Sequence, residues 1–166
     1  MFPEELMNDA RQLLDRLRAR KMMLVTAESC TGGLIAGLFT EFAGSSDVVE
    51  RGYVTYSNAA KTSCLGVGED LLAKCGAVSA EVARAMAQGA LANSHADLAV
   101  SVTGIAGPGG GSAEKPIGLV HFGAALKSGS VLHLEKRFGD IGRSEIRLAS
   151  VRAALKLIGC AISPPG

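Results

Sequence analysis

A hydroxyl and a thiol stand side by side, at Ser29 and Cys30, in the segment T-A-E-S-C-T-G-G (26–33). Both side chains are potential nucleophiles. The apolar run before them and the glycines after them predict a turn from a buried strand into a helix. A hydroxyl at such a turn faces free backbone N–H groups, which suit an oxyanion or a phosphate. The structural alternative is that Ser29 or Thr31 only caps the helix.

The thiol of Cys30 is a second candidate nucleophile, since a helix N-terminus lowers the pKa of a cysteine. The sequence places no histidine close to Cys30 that could activate the thiol. We therefore rank Cys30 below Ser29.

A lysine follows a second predicted strand in Y-S-N-A-A-K (56–61). With Asn58 as the N-cap, Lys61 lies in the first helical turn, where the helix dipole disfavours the ammonium and lowers its pKa. A neutral lysine is a competent general base, and Tyr56 could relay a proton. The alternative is a solvated lysine on the surface, with the hydroxyl of Tyr56 in water.

Burial has to supply most of the pKa change that a lysine base needs. The dipole lowers the pKa by less than about one unit, whereas complete burial can lower it by up to ~3–5 units. We therefore predict that Lys61 is largely buried, with its amine within hydrogen-bond reach of Ser29 and Tyr56. A carboxylate beside the amine, such as that of Glu28, would keep the ammonium charged, so we expect no such pair.

A glycine-rich loop follows the most apolar predicted strand, in T-G-I-A-G-P-G-G-G (103–111), and runs on to Lys115 and Pro116. The segment lacks the spacings of the P-loop and of the dinucleotide-binding fingerprint. Its backbone amides could still wrap an anionic or planar ligand. We favour a ligand loop over a flexible connection, because three consecutive glycines cost backbone entropy.

The remaining reactive side chains form no pattern. The four cysteines include no CxxC pair, and the three histidines, including His121 and His133, lie far apart without metal-ligand spacing. We therefore predict neither a zinc site nor a disulfide framework. Arg143 and Arg147 stand one turn apart at the start of the last predicted helix, where they could hold a phosphate or form a solvated face.

The composition excludes several classes of protein. The 166 residues suit one domain, and 48% hydrophobic residues are too many for a disordered chain. With 17 basic and 16 acidic residues, 4% aromatics and no tryptophan, direct nucleic-acid binding is not expected. We expect neither a signal peptide nor a membrane span, because the first residues lack an apolar core and no apolar run approaches the length of a span. We expect a cytoplasmic protein.

Helices alternate with apolar strands along the chain, and one hairpin follows. The helices are predicted over residues 4–20, 31–43, 58–65, 79–95 and 143–159. Strands are predicted over residues 22–29 and 97–107, a strand or a pair of strands over 47–57, and the hairpin over 117–126 and 130–138. This order predicts a three-layer α/β/α sandwich with a mixed sheet, in which ligands bind beyond the carboxyl ends of the strands.

Taken in order, these segments resemble the CinA C-terminal domain family, whose stand-alone members are nicotinamide-nucleotide amidases. The resemblance also includes G-A-V-S-A-E-V-A (76–83) and K-P-I-G (115–118), and it covers about residues 6–158. It implies that residues 1–166 form a single domain. Longer family members carry an additional N-terminal molybdopterin-binding-like domain with pyrophosphatase activity, which is not expected here.

The resemblance implies hydrolysis of the carboxamide of nicotinamide mononucleotide to nicotinate mononucleotide and ammonia, without a cofactor or a metal. The family's nucleophile, base and proton relay carry over to Ser29, Lys61 and Tyr56. The amides at the predicted helix start would stabilise the oxyanion; they are those of Cys30, Thr31, Gly32 and Gly33.

The nucleotide pocket would be shaped by the glycine loop, and the residues carried over are Thr103, Gly104, Gly107 and Gly109. The family's Gly-Asp-Arg reads G-D-I-G-R here (139–143), so Arg143 is carried over as a phosphate ligand across a two-residue insertion. The expected partners are a small nucleotide substrate and further copies of the chain, with neither nucleic acid nor membrane. The alternative function is a non-catalytic nucleotide-binding or protein-interaction module linked to competence or the DNA damage response.

Overall fold

The computed structural model describes residues 1–164, which are built around a mixed sheet with the strand order β2-β1-β3-β4-β5. The strands are β1 (Leu24–Glu28), β2 (Val49–Val54), β3 (Leu98–Gly104), β4 (Leu119–Leu126) and β5 (Val131–Arg137). Strand β1 runs parallel to both β2 and β3, whereas β3, β4 and β5 are successively antiparallel. The three parallel strands therefore end at the same edge of the sheet.

Helices cover both faces of this sheet. They are α1 (Glu4–Ala19), α2 (Leu34–Thr40), α3 (Asn58–Leu65), α4 (Glu69–Cys75), α5 (Ala80–Ala92) and α6 (Arg143–Ala161). Helices α1, α2 and α6 pack on one face, and α3, α4 and α5 pack on the other. The predicted three-layer α/β/α sandwich with a mixed sheet is confirmed.

The central strand β3 has apolar side chains on both faces of the sheet, so both faces have to be buried by helices. Its side chains alternate, with Val100 and Val102 in the core under α1 and α6 and Ala99 in the core under α5. On the α5 side, the hydroxyl of Ser101 donates a hydrogen bond to the carbonyl oxygen of Ala83. A strand that is buried on both faces reads as a nearly continuous apolar run.

Helix α3 sits unusually close to α5. A Cβ built on Gly89 of α5 would clash with the backbone carbonyl oxygen of Leu65, the last residue of α3. Glycine is therefore required at this crossing, because any side chain would push α3 outward. This contact matters for the site, since α3 carries Lys61.

Two details of the predicted elements are wrong. Helix α2 begins at Leu34, not at residue 31, because residues 29–33 form a turn first. The short helix α4 was not predicted because it spans only two turns. Residues 47–57 contain the single strand β2, which is one of the two predicted alternatives. No helix of residues 1–164 is both long enough and apolar enough to cross a membrane.

Candidate active site

A cavity of about 270 Å³ lies at the sheet edge where the parallel strands end. The first part of its wall is the turn after β1, and the second is the segment from the end of β2 into α3. The segment before α5, the glycine loop after β3 and the start of α6 complete it. The side chains that converge there include those of Ser29, Cys30, Tyr56, Lys61, Thr103 and Arg143. The sequence-predicted candidates therefore meet at one place.

Ser29 and Lys61 are in direct contact in this cavity. Ser29 follows β1 immediately, and its N–H donates a hydrogen bond to the carbonyl oxygen of Val102 at 3.0 Å. The Lys61 Nζ lies 3.1 Å from the Ser29 Oγ and 2.8 Å from the carbonyl oxygen of Thr55. These contacts place a potential base next to a potential nucleophile.

The environment of Lys61 favours the neutral amine. The side chain is only 1% exposed, and burial lowers its pKa below the ordinary lysine value. No salt bridge within residues 1–164 pairs Lys61 with a carboxylate. The prediction of a buried Lys61 beside Ser29, without an acidic partner, is confirmed.

The predicted cap of α3 is wrong by one residue. Ser57 is the N-cap, with extended backbone (φ −93°, ψ 160°), and its side chain accepts a hydrogen bond from the N–H of Ala60 at 3.1 Å. Asn58 is then the first residue of the helix and Lys61 the fourth. Because the dipole effect is confined to the first turn, burial is left as the main cause of the lowered lysine pKa.

Glu28 has a role that the sequence did not reveal. Its carboxylate is fully buried and accepts hydrogen bonds from the N–H groups of Gly33, Ile35 and Ala36 at 3.2, 3.0 and 2.9 Å. These are the free amides at the start of α2, where an anion is favoured. Glu28 therefore anchors the turn that follows Ser29, and its charge is held away from Lys61.

This arrangement corrects the predicted set of oxyanion donors. The Gly33 amide is occupied by Glu28, and the Gly32 amide donates to the carbonyl oxygen of Ser29 at 3.0 Å. Thr31 is fully buried, and none of these three residues lines the cavity. Cys30 does line it, and its N–H donates to no acceptor within residues 1–164. Of the four predicted donors, the Cys30 amide is therefore the one that both lines the cavity and is free within the described residues.

The pKa of the Cys30 thiol is shifted in the opposite direction to that expected at a helix N-terminus. Burial raises its pKa to about 12, so the thiol stays protonated at neutral pH. The expected lowering of this pKa is wrong, because α2 starts four residues later and its end is neutralised by Glu28. The structure thus agrees with ranking Ser29 above Cys30.

Tyr56 and Arg143 bridge the mouth of the cavity. Arg143 Nη2 donates to the Tyr56 hydroxyl and Nη1 donates to the Gly107 carbonyl oxygen, each at 2.8 Å. Arg143 thus reaches the cavity despite the two-residue insertion. Tyr56 is 59% exposed, and its hydroxyl is hydrogen-bonded to Arg143 and not to Lys61. The predicted contact between Tyr56 and the lysine amine is wrong.

The glycine loop and Thr103 form the remaining wall. Thr103 Oγ1 donates to the carbonyl oxygen of Ala77 at 2.8 Å, which ties the end of β3 to the segment before α5. A Cβ on Gly104 would lie 2.7 Å from the Val120 side chain, so this position needs glycine for close packing. Gly107 and Gly109 also line the cavity, as predicted for the loop.

Two histidines that are distant in sequence meet outside the cavity. His121 on β4 and His133 on β5 stack, with Nδ1 of His121 2.9 Å from Nε2 of His133. Burial lowers the pKa of both rings. The sequence spacing had suggested separate positions, whereas the antiparallel register brings them together. Within residues 1–164 no group of three or more His, Cys, Asp or Glu side chains could hold a metal ion.

Comparisons with known proteins find relatives over most of the chain. The family model of the CinA C-terminal domain matches residues 7–162. The chain is 53% identical over 141 residues to the nicotinamide-nucleotide amidohydrolase PncC of Enterobacter agglomerans, covering 84% of this chain and 85% of that protein. The crystal structure of the competence/damage inducible protein CihA from Agrobacterium tumefaciens superposes with a TM-score of 0.97 at 56% identity, covering 98% and 99% of the two chains.

Some relatives are much longer. A putative competence-damage inducible protein of Caldicellulosiruptor bescii is 51% identical over 154 residues, which cover 89% of this chain and 37% of that protein. The chain therefore corresponds to about a third of that relative's length. The match of the family model to almost all described residues shows that the chain belongs to the CinA C-terminal domain family.

Proposed function

We propose that this protein is a nicotinamide-nucleotide amidohydrolase, which hydrolyses the carboxamide of nicotinamide mononucleotide to nicotinate mononucleotide and ammonia. The observation that carries the proposal is the 3.1 Å contact between Lys61 Nζ and Ser29 Oγ inside the cavity. It is supported by the similarity to a protein named for this activity over 84% of the chain.

In the proposed first step, Ser29 Oγ attacks the amide carbon. The neutral Lys61 amine keeps an N–H on the Thr55 carbonyl oxygen and accepts the Ser29 proton on its free electron pair. The carbonyl oxygen becomes an oxyanion, and the Cys30 N–H is the donor placed to stabilise it.

In the next steps the C–N bond breaks and ammonia leaves. The leaving nitrogen takes the proton from Lys61, and an acyl ester on Ser29 remains. A water molecule then attacks the ester while Lys61 accepts one of its protons. Return of that proton to the Ser29 oxygen releases the carboxylic acid. Lys61 thus acts alternately as base and acid, and the atoms balance without another reactant.

Tyr56 can assist the departure of ammonia. Its hydroxyl oxygen already accepts a hydrogen bond from Arg143. A hydroxyl has one donor and two acceptor positions, so its own proton stays available to a leaving group at the cavity mouth. We propose that Tyr56 donates a hydrogen bond to the leaving nitrogen, while the transferred proton comes from Lys61.

Arg143 and the glycine loop are suited to the ribose phosphate. The guanidinium has five N–H donors, and it donates from Nη1 and Nη2 to protein acceptors, which leaves others for an anion. A neighbouring depression of about 750 Å³ shares Gly109 and Gly110 with the cavity. We propose that the nicotinamide ring occupies the cavity and the phosphoribosyl group extends along this loop.

Ammonia release from nicotinamide mononucleotide tests the proposal. The purified chain should release ammonia and nicotinate mononucleotide in equal amounts, as measured by a coupled ammonia assay and by chromatography. Ser29→Ala is the matched control, because the hydroxyl contributes to chemistry and little to packing. If the wild-type chain and Ser29→Ala give the same background, the amidase proposal fails. A binding titration with the nucleotide would then test the alternative of a non-catalytic nucleotide-binding module.

A further inference from the structure

Arg147 lies one helical turn after Arg143 and reaches the turn behind the nucleophile. Its Nε donates to the carbonyl oxygen of Cys30 and its Nη2 donates to the carbonyl oxygen of Thr31, both at 3.1 Å. From the sequence, Arg147 was expected either to bind a phosphate or to lie on a solvated helix face. Its hydrogen bonds to two backbone carbonyl groups agree with neither expectation. We propose that Arg147 is a positioning residue that orients and polarises the Cys30 N–H; this proposal rests on the proposed function.

The contacts form a continuous chain of hydrogen bonds. The Thr31 carbonyl, which accepts from Arg147, belongs to the same peptide unit as the Gly32 N–H. The Gly32 N–H donates to the Ser29 carbonyl oxygen at 3.0 Å, and that carbonyl shares its peptide unit with the Cys30 N–H. The peptide bonds of this turn are trans, so the C=O and N–H of each unit point in opposite directions. The chain therefore runs from the guanidinium through two peptide units to the Cys30 N–H.

A cation at the start of such a chain strengthens every bond along it. Each accepted hydrogen bond polarises its peptide unit, and the polarised N–H becomes a better donor for the next acceptor. The last N–H belongs to Cys30, which lines the cavity beside Ser29. The positive charge of Arg147 is thus transmitted to the place where the reaction develops negative charge, without Arg147 touching the substrate.

The local geometry fits this role and not a loose surface contact. Gly32 has a φ of +58°, and a Cβ on it would lie 3.2 Å from Nη2 of Arg147. Glycine at this position therefore permits both the turn and the close approach of the guanidinium. The planar fork of arginine can bond two successive carbonyls at once, which a lysine ammonium cannot do with the same fixed geometry.

The expected effect is on the transition state. A stronger Cys30 N–H donor stabilises an oxyanion more than a neutral carbonyl, so removal of Arg147 should lower kcat and leave KM nearly unchanged. Loss of a whole oxyanion donor costs about 10²–10³-fold in kcat. Weakening the donor should cost less, so we expect a decrease of about tenfold for Arg147→Gln.

The variants Arg147→Gln and Arg147→Lys test this proposal in the full chain. Arg147→Gln removes the charge. Arg147→Lys keeps the charge but cannot make both hydrogen bonds with the geometry of the guanidinium. The kcat of Arg147→Lys should therefore fall between those of Arg147→Gln and the wild type. Arg152→Gln is the matched control, since Arg152 lies on the same helix and pairs at the surface with Glu5 at 3.2 Å. Its kcat should equal the wild-type value. Circular dichroism establishes folding, and if Arg147→Gln does not fold, Arg147→Lys carries the comparison.

A fluorophosphonate probe separates this proposal from the choice of substrate. Ser29 Oγ attacks phosphorus, the P–F bond breaks, fluoride leaves and the Ser29 proton moves to Lys61, while the phosphonyl oxygen occupies the oxyanion position. We expect folded Arg147→Gln to be phosphonylated about tenfold more slowly than the wild type, as measured by mass spectrometry. This result supports the proposal even if nicotinamide mononucleotide is not hydrolysed. Wild-type rates in the folded variants, a raised KM at unchanged kcat, or an unreactive wild-type serine would overturn it.

Discussion

Replacement of the buried base by methionine should change stability in a way that reveals its charge state. Lys61→Met keeps an unbranched side chain of similar volume but removes the amine. The Thr55 carbonyl, which belongs to a fully buried residue, then loses its donor. An unsatisfied buried acceptor costs about 1–3 kcal/mol. At high pH, where Lys61 is neutral both in the native protein and in the unfolded chain, the variant should be less stable by about this amount.

The difference should shrink as the pH falls. Below the ordinary lysine pKa of 10.5 the unfolded wild-type chain binds a proton at Lys61, whereas the native protein does not until the pH reaches its lowered pKa. Within that window falling pH favours the unfolded wild type by about 1.4 kcal/mol per pH unit. The methionine variant has no such group, so the wild-type advantage should fall at this rate and can reverse sign.

Urea denaturation of both proteins between pH 6 and 11.5, which spans the ordinary lysine pKa of 10.5, measures this difference directly. Effects of the other titrating groups cancel in the comparison, and the pH at which the difference becomes constant reports the native pKa of Lys61. Lys156→Met, an exposed substitution on α6, is the control and should show no such trend. In the activity assay Lys61→Met should lose about 10²–10⁴-fold in kcat. A stability difference that stays constant over the whole range would show a charged native Lys61 and refute its role as base.

Three further predictions concern the residues around the base. Ser29→Ala should abolish turnover without loss of folding, whereas Cys30→Ala should retain substantial activity because its thiol stays protonated; the reverse pattern in kcat would identify a thiol enzyme. Glu28→Gln should destabilise the protein by about 1–3 kcal/mol in urea, because a neutral amide replaces a buried carboxylate that accepts hydrogen bonds from three N–H groups; unchanged stability would contradict its anchoring role. Gly89→Ala should lower both stability, by about 1–3 kcal/mol, and kcat, because the added methyl group meets the Leu65 carbonyl and displaces α3; unaltered kcat would show that the position of α3 is not critical.

Local sequence patterns were sufficient to predict those parts of the site that lie on a single helix, strand or turn. The strand-to-turn transition at Ser29 and the helix that carries Lys61 follow from apolar runs and capping residues. The cap of α3 was predicted one residue too late, at Asn58, because serine and asparagine both cap well and only the extended backbone of Ser57 distinguishes them.

Contacts between distant segments could not be read from such patterns. Arg143 meets Tyr56 across 87 positions, and Arg147 meets Cys30 across 117 positions. A spacing of one helical turn predicts that the two arginines lie on the same face of the helix. It does not predict which part of the protein that face contacts. The partner is determined by how α6 packs on the sheet, which is a property of the whole core.

The site holds the buried Glu28 carboxylate and an amine of lowered pKa in adjoining segments, and the two helices that begin there use their first turns differently. At α2 the carboxylate of Glu28 binds three N–H groups, so its charge is compensated locally and has no need of a lysine partner. At α3 the capping is done by the uncharged Ser57, and Lys61 one turn further on meets only uncharged acceptors, the Ser29 hydroxyl and the Thr55 carbonyl. The three hydrogen bonds that anchor the turn of the nucleophile also hold the Glu28 carboxylate at the start of α2, and no salt bridge within residues 1–164 joins it to Lys61.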